Sequence, residues 1–342
     1  MKISFKRENG TLDELIDQML AMCDIHHPEI IREMVISALK TGQENDYLAD
    51  LKMLRSTMKE MRYTSKLFGP YRDRKKVTIF GSARTEPEDP VYQKCVTFSR
   101  QLVRLGYMVI TGGGPGIMQA GNEGAGAENS FAVNIRLPFE QETNPVMQNS
   151  PNVITYKYFF NRKVAFLKEA EAVALFPGGF GTLDEAMETL TLMQTGKNPP
   201  IPLVLIDDDD GSYWGRWLEL IKETMLSRGM ISGLDMSLFT ITHDPFEAAQ
   251  VIHDFYRVYH SSRWVDSRLV IRLNKPLREE QVKTLAEEFC EIIEEGSELH
   301  MTAALPEEYD QPDLLDLPRL VFRFNRSNYG LLKAFLRRLN SF

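Results

Sequence analysis

The stretch Ala172-Val173-Ala174-Leu175-Phe176-Pro177-Gly178-Gly179-Phe180-Gly181-Thr182-Leu183-Asp184-Glu185 decides the fold class. Five apolar residues in a row read as a strand buried on both faces. The glycine-rich break turns the chain, and a helix from Thr182 to about Gln194 follows. A strand, a short turn and a helix form the repeating unit of a parallel sheet covered on both sides. The helix opens with unpaired N–H groups and the positive end of its dipole aimed out of the turn. Such a turn can hold a phosphate without a lysine. Glu185 lies within one helical turn of that anion site, so an acid stands beside a phosphate cradle.

The same unit recurs upstream and downstream. Val77-Thr78-Ile79-Phe80 is a strand that ends at Gly81-Ser82-Ala83-Arg84, and a helix over about 90–105 follows. Tyr107-Met108-Val109-Ile110 ends in Thr111-Gly112-Gly113-Gly114-Pro115-Gly116, and a helix of small residues then runs through Ala127. Strands over 131–137 and 201–206, an acidic loop over 207–210, and helices over 161–170, 213–228 and 245–259 complete the alternation. The expected core is α/β, a Rossmann-like doubly wound parallel sheet. Ligands in such sheets sit at the carboxyl ends of strands. All three glycine turns fall there and should converge on one crevice. The triple-glycine turn lacks the GxGxxG spacing with a later acid, and no Gly-Lys-Ser/Thr follows it, so neither dinucleotide nor P-loop binding is implied. It is either a tight turn or a place where a ligand approaches the backbone; two further glycine turns at neighbouring strand ends favour the second reading.

The flanks differ in character. Residues 11–68 read as helical: Thr11-Leu12-Asp13-Glu14 fits a capping box, and Leu12, Leu15, Ile16, Met19 and Leu20 follow at helical spacing. Leu51, Leu54, Met58 and Met61 form a second stripe, read as packing. Gly69-Pro70 closes the segment, and a basic run over 72–76 leads into the core. After 266 come a strand (268–273), a helix (279–294), strands (300–305 and 320–324) and a helix (329–339). The acidic, proline-rich stretch 306–318 reads as an exposed loop. The expected organisation is a helical N-terminal extension over 1–70, a catalytic domain over 71–262, and a small α+β module over 266–342 that regulates or assembles an oligomer.

A net charge of −8 argues against general nucleic-acid binding, which needs a basic surface. An apolar share of 43% with 10% aromatic residues is that of a soluble globular protein. Three scattered cysteines (Cys23, Cys95, Cys290) read as reduced, buried thiols of a cytoplasmic protein. The first residues lack an apolar leader, and no apolar run reaches the ~18 residues of a membrane span. The six histidines make no metal-ligand spacing, and no metal is expected.

Asn161-Arg162-Lys163 opens a helix after Tyr156, Tyr158, Phe159 and Phe160. The planar fork of Arg162 can clamp a phosphate or a base. The other reading is a solvated basic helix start facing Glu169 or Glu171. Positive charge at a helix N-terminus is unfavourable unless an anion or carboxylate accompanies it, which favours the first. Glu185 alone could simply satisfy its helix dipole, and Glu188 extends the same acidic face. Ser82 and Arg84, after the first glycine turn, are weaker candidates for phosphate or base contact.

Taken together, Gly112-Gly113-Gly114-Pro115-Gly116-Ile117-Met118, Tyr158-Phe159-Phe160-Asn161-Arg162-Lys163 and Pro177-Gly178-Gly179-Phe180-Gly181-Thr182-Leu183-Asp184-Glu185 resemble the LOG (LONELY GUY) family, often mislabelled lysine decarboxylase. The resemblance covers about 75–260. It implies a cofactor-free phosphoribohydrolase that cleaves nucleoside 5′-monophosphates, such as AMP or cytokinin riboside monophosphates, to free base and ribose 5-phosphate. By motif, Arg162 and Glu185 match the catalytic pair, and Gly178, Gly179, Gly181 and Thr182 match the phosphate turn. Gly112, Gly113, Gly114, Gly116, Met118 and Lys163 join them as substrate-binding residues. Asp184 stands where many plant-type members have Glu. Long extensions resemble those of bacterial relatives acting on general purine and pyrimidine monophosphates. The implied partners are the nucleotide and further copies of the chain, a dimer or higher. A non-catalytic nucleotide sensor using the same crevice is the alternative, and a regulatory ligand on the C-terminal module is a third reading.

Overall fold

The computed structural model describes residues 3–138 and 142–342; Met1 and Lys2, at the head of the expected extension, lie outside the described residues. The chain divides into two compact units, Met1–Ser65 and Lys66–Phe342.

In the first unit, helices α1 (Thr11–Ala21) and α2 (Pro28–Glu44) precede α3 (Leu48–Phe68). A small core of Ile3, Ile16, Leu20 and Ile36 joins the first two. The expected capping box does not form: the position before the helix is Gly10, with no side-chain cap. Asp13 turns inward instead. Its carboxylate accepts from the Asn9 backbone N–H at 2.7 Å and from buried Arg32. Leu15 and Met19 are exposed, and so are Leu54 and Met58 on α3, whose stripe the sequence reads as packing.

The second unit is built on a seven-stranded parallel sheet: β1 (Lys76–Phe80), β2 (Met108–Thr111), β3 (Ser130–Ile135), β4 (Val153–Tyr156), β5 (Ala172–Leu175), β6 (Leu203–Ile206) and β7 (Thr240–Thr242). Their spatial order is β4-β3-β2-β1-β5-β6-β7. The chain lays strands outward from β1 to β4, then returns to place β5 on the other side of β1. The β1/β5 junction is the switch point of a doubly wound fold, where the carboxyl ends open a crevice. Strand alternation serves two cores. Phe80, Met108, Ile110, Val173 and Leu175 face α6 (Phe159–Lys168), α7 (Phe180–Gln194) and α8 (Ser212–Ile221). Val77, Ile79, Val109, Ala172 and Ala174 face α4 (Pro90–Arg104), α5 (Ile117–Ala125) and α9 (Pro245–Phe255). Burial on both sides explains why the central strands read as continuous apolar runs.

The sequence expectation omitted β4 and β7. Both are short strands at the sheet's edges, and Val-Ile-Thr-Tyr and Thr-Ile-Thr carry no long apolar run. It also ended the helices late: α8 gives way to a π-helical turn at Lys222–Leu226, and α9 stops at Phe255.

The C-terminal part forms a four-stranded antiparallel sheet in the order β10-β11-β9-β8, from β8 (Tyr259–Val265), β9 (Arg268–Leu273), β10 (His300–Thr302) and β11 (Arg319–Phe322). Helices α10 (Glu279–Glu288) and α11 (Tyr329–Asn340) pack with it. The polar run of β8 hid that strand, and α10 ends at Glu288 rather than near 294. The expected exposed loop over 306–318 is not wholly exposed. Glu308 is fully buried and accepts from Arg272 Nε at 2.9 Å, Arg319 Nε at 3.1 Å and the Leu305 N–H at 3.1 Å. Arg319 and Arg272 are themselves buried. Three charges share one desolvated site, so the loop is tied down at its acid.

This module shares the second unit with the core. The Tyr329 ring occupies the space a side chain at Gly196 would need, and Gly196 has φ +70°. Asn340 Oδ1 accepts from the N–H groups of Val258 (2.8 Å) and Tyr259 (3.0 Å). The cysteines correct another expectation: all three are free, but Cys23 and Cys290 are exposed and only Cys95 is buried. Among the described residues no helix is long and apolar enough to cross a membrane.

Candidate active site

The three glycine turns follow β1, β2 and β5, neighbours in the sheet, and they touch. The Ser82 N–H donates to the Pro177 carbonyl at 3.0 Å, and the Ile117 N–H donates to the Ser82 carbonyl at 2.9 Å. Gly116 (φ +66°) has no room for a side chain, because a Cβ would stand 2.3 Å from the Ser82 carbonyl oxygen. At Gly178 a Cβ would meet Thr182 Oγ1 at 2.2 Å and the Ser82 nitrogen at 2.9 Å. Tyr213, at the start of α8, donates to the Gly178 carbonyl and pins the third turn from the other side.

Gly179 and Gly181 differ. A Cβ at either would meet open space, and neither has a positive φ. Protein packing does not require glycine there. The helix begins at Phe180, two residues before the expected Thr182, with Gly179 as its N-cap and no side-chain cap. The Thr182 and Leu183 N–H groups both donate to the Gly179 carbonyl at 3.1 Å, and the N–H groups ahead of them come before the first intrahelical acceptor, at the end of the helix that suits an anion. Thr182 is buried against Gly178.

A cavity of about 190 Å³ opens beside the triple-glycine turn. Its wall includes Ala83, Gly112, Gly113, Gly114, Met118, Asn134, Phe159 and Arg162. Arg162 reaches it from the first turn of α6, a helix held to the sheet where Thr78 Oγ1 donates to the Phe166 carbonyl at 3.0 Å. The guanidinium lies over Gly112, where a Cβ would be 2.5 Å from its Nη2, and its Nε has no hydrogen-bond partner. Burial pulls the Arg162 pKa down to about 10, against the opposing pull of Glu185. The group remains charged at neutral pH.

Glu185 is 8% exposed, and its Oε2 is buried without a hydrogen-bond partner. Burial pushes its carboxyl up to about 7; Lys163 and Arg162 pull it down, while Glu188 and Asp184 push it further up. It is not part of the cavity wall at Arg162. Lys163 Nζ stands 2.7 Å from Asp184, 2.6 Å from Glu188 and 3.5 Å from Glu185. Lys163 lines a different groove, so the structure brings it to the acids rather than to the cavity. Arg84 is exposed and outside the cavity wall, and Ser82 Oγ accepts from the Arg84 N–H at 3.1 Å.

Three asparagines without a motif hold the triple-glycine turn. Asn144 donates from its backbone to the Gly113 carbonyl (2.8 Å) and from Nδ2 to the Gly114 carbonyl (3.2 Å). Asn122 Oδ1 accepts from Asn144 and from Thr111 Oγ1, which itself accepts from the Gly113 N–H. Asn134 Oδ1 fills the space beside Gly113 (φ +71°), where a Cβ would sit 1.8 Å away. That oxygen is buried and has no hydrogen-bond partner. Nothing in single-residue patterning marks these three; a polar residue inside or just after an apolar strand, as at Asn134, was the one available signal.

A family model described as possible lysine decarboxylase matches residues 117–252, less than half of the chain. This segment is similar to the LOG-type domains to which that description is often attached. It spans α5 to α9 and contains Arg162, Glu185 and the third glycine turn, while the first two glycine turns precede it. No curated protein matches the chain significantly. Among solved structures, the structural-genomics target TM1055 is 24% identical, covering 52% of this chain and 98% of its own, with a TM-score of 0.38. A molybdenum cofactor binding protein from Rippkaea orientalis is 19% identical over 52% and 95% of the two chains, also at 0.38. A Moco carrier protein from Chlamydomonas reinhardtii is 16% identical over 52% and 95%, at 0.37.

Proposed function

We propose that the LOG-like domain hydrolyses the N-glycosidic bond of nucleoside 5′-monophosphates, releasing free base and ribose 5-phosphate. The observation that carries this reading is Glu185: a buried carboxyl with an unpartnered oxygen, one helical turn from a glycine turn whose Gly179 and Gly181 face open space. The phosphate sits on the N-terminus of α7. Breaking the C1′–N bond builds positive charge on the ribose, which the Glu185 carboxylate stabilises. The water oxygen bonds to C1′ as its proton passes to Glu185; the C1′–N bonding pair leaves with the base, which takes up one proton from solvent while Glu185 returns its proton to solvent. Arg162 holds the base or the phosphate, and the fixed phosphate orients the sugar. A decarboxylase acting through a lysine imine fits the crevice poorly. Burial lowers the Lys163 pKa, but its hydrogen bonds to Asp184 and Glu188 outweigh this and raise it to about 12. A nucleophilic lysine needs the opposite shift.

In this reading the protein works in the cytoplasm as a homo-oligomer, and its substrates are AMP-like nucleotides, cytokinin riboside monophosphates included. The test is incubation of folded protein with AMP, GMP, CMP and isopentenyladenosine monophosphate, following base and ribose 5-phosphate. Release from at least one supports the reading, and release from none overturns it. Binding without turnover is the second reading, favoured because Glu185 stands off the cavity wall with the Lys163 amine 3.5 Å away. Glu185→Gln separates the two. A catalytic acid predicts retained AMP binding with turnover lost, whereas a pure binding protein predicts no turnover in either form.

A further inference from the structure

At the opposite end of the parallel sheet from the glycine turns lies a cavity of about 300 Å³. Pro202 and Leu203 at the head of β6, Thr240 at the head of β7, the end of α9 and one face of α11 enclose it. Three cationic side chains reach it, Arg257, Lys333 and Arg337, against one acid, Asp254. Lys333 and Arg337 are one helical turn apart and share a face of α11. We infer that this cavity is a second binding site, for a small phosphoanion carrying at least two negative charges.

The argument rests on charge without compensation. Lys333 is 4% exposed, and its ammonium donates to the Leu238 carbonyl. No carboxylate among the described residues forms an ion pair with Lys333 or Arg337. Asp254, whose carboxylate accepts from Gln250 Nε2 at 2.8 Å, forms no ion pair with any of the three, so the lining keeps an excess of two positive charges. A buried ammonium bonded only to a carbonyl has lost most of its hydration and gained one neutral partner, an arrangement that a bound counter-charge relieves. Burial and the neighbouring Arg337 both pull the Lys333 pKa down to about 7, the signature of a cation that lacks its anion. Arg257 donates to the Asn340 carbonyl and so is held at the rim with its charge free. The cavity volume lies at the small end of metabolite pockets, room for two phosphate groups. Because its walls come from both the parallel sheet and the C-terminal helix, an occupant ties the two parts together.

The test is titration calorimetry of the full chain with inorganic pyrophosphate. Wild-type protein should bind saturably, and Lys333→Met and Arg337→Gln should each weaken binding at least tenfold. Neither variant should change AMP affinity at the glycine crevice, measured in the Glu185→Gln background. Arg337 is exposed, so its variant keeps the test alive if Lys333→Met fails to fold. Absence of saturable binding in the wild type, or unchanged pyrophosphate affinity in a folded variant, overturns the inference. A parallel titration with ADP identifies the carrier of the phosphates. Tighter binding than pyrophosphate points to a nucleotide, and equal or weaker binding points to a free phosphoanion.

Discussion

Glu185 shows how one side chain can be legible in type and illegible in state. Its place one turn beyond a glycine turn is written in the chain; its depth is not. Burial raises its carboxyl from 4.5 to about 7. The folded protein therefore holds more protons than the unfolded chain between those values, and stability declines as pH rises through that window. Glu185→Gln removes the buried charge and leaves Lys163 paired with Asp184 and Glu188. Urea denaturation at pH 8 should find the variant as stable as wild type or more so, by about 1–3 kcal/mol. The wild-type decline between pH 4.5 and 7 should flatten in the variant. If the acid is the base of the reaction, turnover should rise with pH to a plateau above about 7. Lys163 teaches the converse: its motif position suggested substrate, and its geometry binds it to three carboxylates.

Glycines that look alike in the motif do different work in the turns. Gly113 carries φ +71° and abuts Asn134 Oδ1, so Gly113→Ala should destabilise the protein by about 1–3 kcal/mol. Gly179→Ala and Gly181→Ala meet no atoms. Both should stay within about 1 kcal/mol of wild-type stability in thermal melts while weakening AMP binding at least tenfold. A loss of stability with unchanged AMP binding would show that these glycines serve the fold. The elements themselves were largely readable where burial on both faces makes an apolar run. The edge strands β4 and β7 and the polar β8 were not, because their pairing partners, rather than their own residues, hold them extended.

Across the molecule, the buried cluster of Glu308 with Arg272 and Arg319 joins the 306–318 segment to β9 and β11. Glu308→Gln leaves two buried guanidinium groups without their carboxylate and should cost about 3–5 kcal/mol by urea denaturation. Burial alone would raise the Glu308 pKa, but the hydrogen bonds from Arg319, the Leu305 N–H and Arg272 outweigh it and hold it below the usual carboxylate range. The cluster's contribution is thus present above the ordinary carboxylate pKa and is lost as pH falls through the depressed value. Acid unfolding of the wild type should carry this step, and the variant should lack it. A loop composition rich in acid and proline says exposure; only the arrival of two arginines from separate strands reverses that reading.

By itself the sequence determined the doubly wound core and the placement of three glycine turns at strand ends. These follow from local patterns, apolar runs and glycine spacing, which act within a few residues. The tertiary structure alone decided the ionisation of Glu185, the capture of Lys163 by three acids, the asparagine clamp on the triple-glycine turn and the cationic cavity under α11. Each depends on burial and on charges brought together from distant parts of the chain. Desolvation and Coulomb energy are set by what surrounds a group in space, and sequence neighbours do not report it.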